Sequence, residues 1–100
     1  MKYNKLIRDK IPEIIEKKGG KAIVHIADKE EYSTKLSEKL QEEVDEFMKD
    51  KNLEEIADIA EVLEALAIDL KGTWEEVQKI KHKKAEERGK FKKKIILEES

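Results

Sequence analysis

A four-residue polar break, Lys49-Asp50-Lys51-Asn52, parts two long segments of helical period, and nothing else in the sequence restricts the fold as much. Before it, Tyr32, Leu36, Leu40, Val44 and Phe47 recur at steps of four and three, the apolar stripe of an amphipathic helix. After it, Leu53, Ile56, Ile59, Val62, Leu63, Leu66, Ala67 and Leu70 cover most of a helix circumference. That second helix is expected to be the central, most buried element. So short a connection makes the two helices antiparallel neighbours.

The flanks carry start and stop signals. Pro12 suits the first turn of a short helix and Gly19-Gly20 its end. Ala22-Ile23-Val24-His25-Ile26 reads as a short strand, rich in β-branched residues. Asp28 with Glu31 caps the first long helix, which runs to about Lys49. Asn52 caps the second, Leu53 to about Leu70, and Gly72 stops it. Thr73 with Glu76 starts a last helix, Trp74 to about Arg88, closed by Gly89. A second short strand is expected near residues 93–97, centred on Ile95-Ile96-Leu97 and pairing with 22–26. The expectation is one all-α domain over residues 1–100, a four-helix bundle core with two short β-strands.

The charge is balanced overall and segregated along the chain. The protein has 22 basic and 24 acidic residues, net −2. Residues 1–29 hold eight basic and four acidic residues, 30–69 four and fourteen, and 71–94 ten and four. Near-neutral total charge argues against a nucleic-acid binder. Cys is absent, so disulfides, thiolate metal sites and cysteine nucleophiles are excluded. No apolar run approaches the roughly 20 residues of a membrane span. The opening Met1-Lys2-Tyr3-Asn4-Lys5 leads into no signal-peptide core, and a cytoplasmic protein is expected. With 46% charged residues, few apolar positions remain per helix, and self-association would help bury them.

The acids fall in a pattern. Glu43 and Glu46 are three apart on the first long helix, and Glu55 and Asp58 repeat the step on the second. Like charges at this spacing repel. The short turn lets all four converge at one end of the hairpin, where hard oxygen donors suit Mg²⁺ or Mn²⁺. Glu61 continues the line as an outer-shell or second-metal candidate. Plainer roles are available too: Glu55 stands third after Asn52 as in a capping box, and Glu43 can pair with Lys39.

The bases interrupt a pattern. After Trp74 and Val77, the positions that should continue the inner stripe hold Lys81, Lys84 and Arg88. Either that helix leaves the core early, with snorkelling side chains, or its bases turn inward to grip phosphates. Arg8 and Lys10 are further candidates of the same kind. His25 and His82 are isolated. No glycine-rich phosphate loop is present.

Three segments, in order, resemble one family. Glu42-Glu43-x-x-Glu46 followed by Glu55-x-x-Asp58 looks like the paired acidic signature of the all-α nucleoside triphosphate pyrophosphohydrolases, which include MazG, dimeric dUTPases and phosphoribosyl-ATP pyrophosphohydrolase. Tyr3-Asn4-Lys5-Leu6-Ile7-Arg8-Asp9-Lys10-Ile11-Pro12 is similar to the opening of small MazG-like proteins, and Lys84-Ala85-Glu86-Glu87-Arg88-Gly89-Lys90-Phe91 to their C-terminal motif. The resemblance implies Mg²⁺-dependent cleavage of a nucleoside triphosphate to monophosphate and pyrophosphate. Glu43, Glu46, Glu55 and Asp58 would be metal ligands. Glu42 would be a catalytic candidate and Lys84 and Arg88 substrate contacts; Glu61, where many members carry an apolar residue, joins as a catalytic candidate, and Arg8, Lys10 and Lys81 as substrate contacts, on the residue pattern alone. A homodimer or homotetramer is implied. The alternatives are phosphoribosyl-ATP hydrolysis and a non-catalytic helical oligomer that binds a partner.

Overall fold

Each long helix begins where a side chain satisfies one of its free backbone donors. The computed structural model describes residues 4–100; Met1, Lys2 and Tyr3, and with them the start of the Tyr3–Pro12 segment, lie outside the described residues. Four helices follow: α1 (Ile11–Lys17), α2 (Lys29–Lys49), α3 (Leu53–Asp69) and α4 (Trp74–Arg88). The Asp28 carboxylate accepts from the Glu31 N–H at 2.8 Å, Asn52 Oδ1 from the Glu55 N–H at 3.0 Å, and Thr73 Oγ1 from the Glu76 N–H at 3.1 Å. Each such cap is worth about 1 kcal/mol. All three expected caps are present.

At the C-termini the outcome differs in detail. Gly89 takes the positive φ that ends α4 (81°). At the end of α3 that conformation falls on Lys71 (φ 65°), one residue before the expected Gly72, whose N–H donates to Ala67 O.

The helical hairpin is as expected. α2 packs along α3, α4 packs on α3 alone, and α1 packs on none of the other three. A hydrogen bond of 2.6 Å from Ser33 Oγ to Asp69 Oδ2 fastens the open end of the hairpin. Leu36 on α2 is 2% exposed, with Val62 and Ala67 of α3 the other buried apolar residues. So thin a core makes Leu36 critical; its truncation to Ala costs roughly 2–5 kcal/mol.

Three expectations need correction. The helices do not close into a bundle, because α4 never reaches α2. The radius of gyration, 17.6 Å, exceeds the ~13 Å of a compact chain of this length. Secondly, α3 touches both neighbours but is not buried all round, since nothing among the described residues covers the face that carries Ile56, Leu63 and Leu70. Thirdly, no strand forms among the described residues at 22–26 or 93–97. Ile23 and Ile26 are 88% and 93% exposed, and Ile95–Leu97 are exposed as well. β-Propensity reflects packing on a sheet surface, and two short strands alone are marginal in water. With no sheet or helix beneath them, both segments stay irregular.

Candidate metal centre

The Asp50–Asn52 turn brings the C-terminal end of α2 against the N-terminal end of α3, and the acidic residues meet there. Carboxylate oxygens of Glu43, Glu55 and Asp58 lie within 4.8 Å of one another, and those of Glu46, Asp50 and Glu55 form a second such group. Glu55 belongs to both, so the four expected residues make one continuous cluster with Asp50 added. Glu55 donates its backbone N–H to the Asn52 cap, while its carboxylate stays in the cluster and does not reach back to close a capping box.

Charge in the cluster is only partly neutralised. Lys39 Nζ lies 3.3 Å from Glu43 Oε1, a half-buried pair (side chains 18% and 13% exposed). Arg8 Nη2 donates to Asp58 Oδ1 at 2.8 Å. The side chains of Glu46, Asp50 and Glu55 have no ion-pair or hydrogen-bond partner among the described residues. Partial desolvation, then the nearby Asp58, Glu46, Glu43 and Asp50 charges, push the Glu55 carboxyl above the ordinary glutamate value.

Glu42 stands apart from these groups. Lys5 Nζ reaches its Oε1 at 3.1 Å and Lys39 Nζ its Oε2 at 3.4 Å. Its partial burial acts to raise its pKa, but the Lys5 hydrogen bond and the Lys39 and Lys5 charges outweigh this and lower it.

The segment before α1 crosses the hairpin and is pinned at three points: Lys35 Nζ on Asn4 O, Lys5 on Glu42 and Arg8 on Asp58. Of the expected substrate contacts, therefore, Arg8 is brought to the cluster. Lys10 is exposed at the N-cap of α1. Lys81, Lys84 and Arg88 are exposed on α4 and make no ion pair or hydrogen bond with the cluster. Only Trp74 and Ala85 of that helix are half-buried, and the rest of it is exposed. Glu61 lies outside the cluster as well. It lines an open depression of about 330 Å³ with Tyr32, Glu64, Ala65, Ile68 and Trp74. His25 and His82 pair with Glu31 and Glu86 at the periphery, at 2.9 and 3.0 Å.

The donor set is made of carboxylates alone, which fits a hard cation such as Mg²⁺ or Mn²⁺ and offers nothing to a soft one. Sequence reasoning overlooked Asp50, which reads as a turn residue, and Lys5 and Tyr32 as neighbours of functional groups. Asp50's position four residues after Glu46 was the available signal.

No family model matches this sequence, and no curated protein or solved structure shows significant similarity to it. Among the described residues, no helix is long and apolar enough to cross a membrane.

Proposed function

We propose that the chain is a Mg²⁺-dependent nucleotide pyrophosphohydrolase that splits a nucleoside triphosphate into monophosphate and pyrophosphate. The observation that carries the reading is the meeting of Glu43, Glu55 and Asp58, with Glu46 beside Glu55, at one end of the hairpin. These are the residues of the paired acidic signature, and three of the five clustered carboxylates have no cation of their own among the described residues. The motif resemblance supplies the reaction.

In this reading Glu43, Glu46, Glu55 and Asp58 hold the ion, which when bound supplies charge neutralisation and a water of lowered pKa. Asp50 adds charge at the rim. Lys39 keeps Glu43 in place, and Lys5 with Lys39 keeps Glu42 ionised beside the site. Arg8 is the base best placed to turn from Asp58 to a phosphate oxygen, where its planar fork binds two oxygens at once. Lys84 and Arg88 enter through the resemblance alone, and an assembly of several chains is the natural way for them to reach a site.

Such an assembly has support of its own. Ile56 and Leu63 of α3 and its C-cap Leu70 recur at seven-residue steps and are exposed, an apolar stripe along one side of the helix. We take a homodimer or homotetramer as the working form.

The test is pyrophosphate release from a panel of nucleoside triphosphates and phosphoribosyl-ATP, with Mg²⁺ and with chelator. Metal-dependent release that Asp58→Asn abolishes, with helicity retained, is the expected result. Wild-type rates in that variant would remove the ligand assignment, and no release on any substrate would remove the enzyme.

A further inference from the structure

The depression lies further along α3 from the carboxylate cluster, toward the open end of the hairpin, and has a composition of its own. It is lined by Tyr32 from the start of α2 and Trp74 from the start of α4, both half-buried, and by Ala65 and the exposed Ile68 of α3. Glu61 and Glu64 are its charged residues. Neither carboxylate has a hydrogen-bond or ion-pair partner among the described residues. The volume, about 330 Å³, is at the lower end of small-molecule sites. The location matters too. Glu61 follows Asp58 by one turn of α3, and Ala65 lies about 10 Å along the helix from Asp58 at 1.5 Å per residue.

We propose that this cleft is a nucleobase subsite selective for guanine. The inference rests on the nucleotide reading of the carboxylate cluster and adds the substrate class. Two aromatic faces accept any flat base. The selection comes from the carboxylates, which at neutral pH only accept hydrogen bonds. Guanine offers two donors side by side, its ring N1–H and its exocyclic amine. A single carboxylate takes both, as it takes the two N–H groups of an arginine fork. Adenine and cytosine present one amine beside an acceptor nitrogen, and uracil presents one N–H between two carbonyl oxygens. Each would set an acceptor against a carboxylate oxygen. Glu64, half-buried where Glu61 is exposed, is the residue assigned to the fork. The order of binding is therefore guanine, then adenine and cytosine, then uracil.

Trp74 is the chain's single tryptophan, so its fluorescence reports on the cleft directly. The experiment titrates the full chain with guanosine, inosine, adenosine, cytidine and uridine in the presence of chelator. Guanosine is expected to quench saturably and at least about tenfold more tightly than uridine, within the discrimination of one good bidentate contact. Inosine, which lacks the exocyclic amine, should fall between them. In Glu64→Gln the guanosine advantage over adenosine should disappear while helicity and the unliganded emission stay unchanged. Equal quenching by guanosine and uridine, or none by any nucleoside, would overturn the proposal. So would quenching by tetramethylammonium alone, which would make the cleft a cation cage. Nucleosides carry no phosphate and the chelator removes divalent ions, so failure here leaves the pyrophosphate-release assay to judge the hydrolase reading separately.

Discussion

Arg8 and Asp58 are fifty residues apart in sequence and joined at 2.8 Å, with the guanidinium on an oxygen the metal reading assigns to a cation. The two therefore compete. Both side chains are about half exposed, 56% and 41%, which limits the pair to ~1 kcal/mol. Arg8→Gln should raise Mn²⁺ affinity in the nucleotide-free protein by up to about fivefold, by calorimetric titration. The same variant should lower turnover, because the base that leaves Asp58 is the one expected on the phosphate. A drop in Mn²⁺ affinity would show that Arg8 orders the cluster instead of competing for it.

Glu55 should be a residue whose loss stabilises the metal-free fold. Its folded-state pKa is raised, so ionised Glu55 is disfavoured in the folded protein relative to the unfolded chain. Stability is then lost as pH climbs from the ordinary glutamate value through the raised one, and it stays lost at neutral pH. Glu55→Gln should melt higher than wild type at pH 7 in chelator. The difference should shrink in acid, where both are neutral. The rise in melting temperature that Mg²⁺ gives the wild type should be absent in the variant.

Lys71 carries a left-handed backbone at the end of α3, with φ 65°. Glycine adopts this region without the contact between Cβ and carbonyl that other residues suffer. Lys71→Gly is expected to stabilise the fold by about 0.5–1 kcal/mol, read by urea denaturation. No change in metal binding should accompany it.

The uncovered stripe on α3 predicts self-association. Leu70 is 82% exposed, so changing it cannot damage the interior of one chain. Sedimentation should find the wild type as a dimer or larger. Leu70→Glu should shift the equilibrium toward monomer while the circular dichroism of the four helices is retained.

The hairpin and its acids were legible in the sequence because their determinants are local. Apolar spacing set the faces of α2 and α3, three side-chain caps set the starts, and a short turn set the antiparallel pairing. The Lys39–Glu43 pair, four residues apart on one helix, was legible for the same reason. What sequence reasoning missed depends on distant partners. Ile23–Ile26 reads as a strand by composition, yet a strand needs a second strand and a surface to lie on. Arg8 could be named as a base of interest, but its approach to Asp58 depends on the path of the segment before α1. The inner stripe of α4 breaks at Lys81 in the sequence, but the helix leaves the core earlier, for Val77 is already exposed.

The carboxylate cluster spans only residues 43 to 58, on either side of one tight turn. Loop closure over so few residues costs little entropy, and local contacts of this kind form early in folding. The first tertiary contact available to the chain is thus also the one where like charges crowd together. Refolding should begin against electrostatic resistance, and a divalent cation present from the start would speed hairpin formation before it ever assisted a reaction. A site read as catalytic would then act first as a condenser of the nascent chain, tying the rate at which the protein appears to the ions around it.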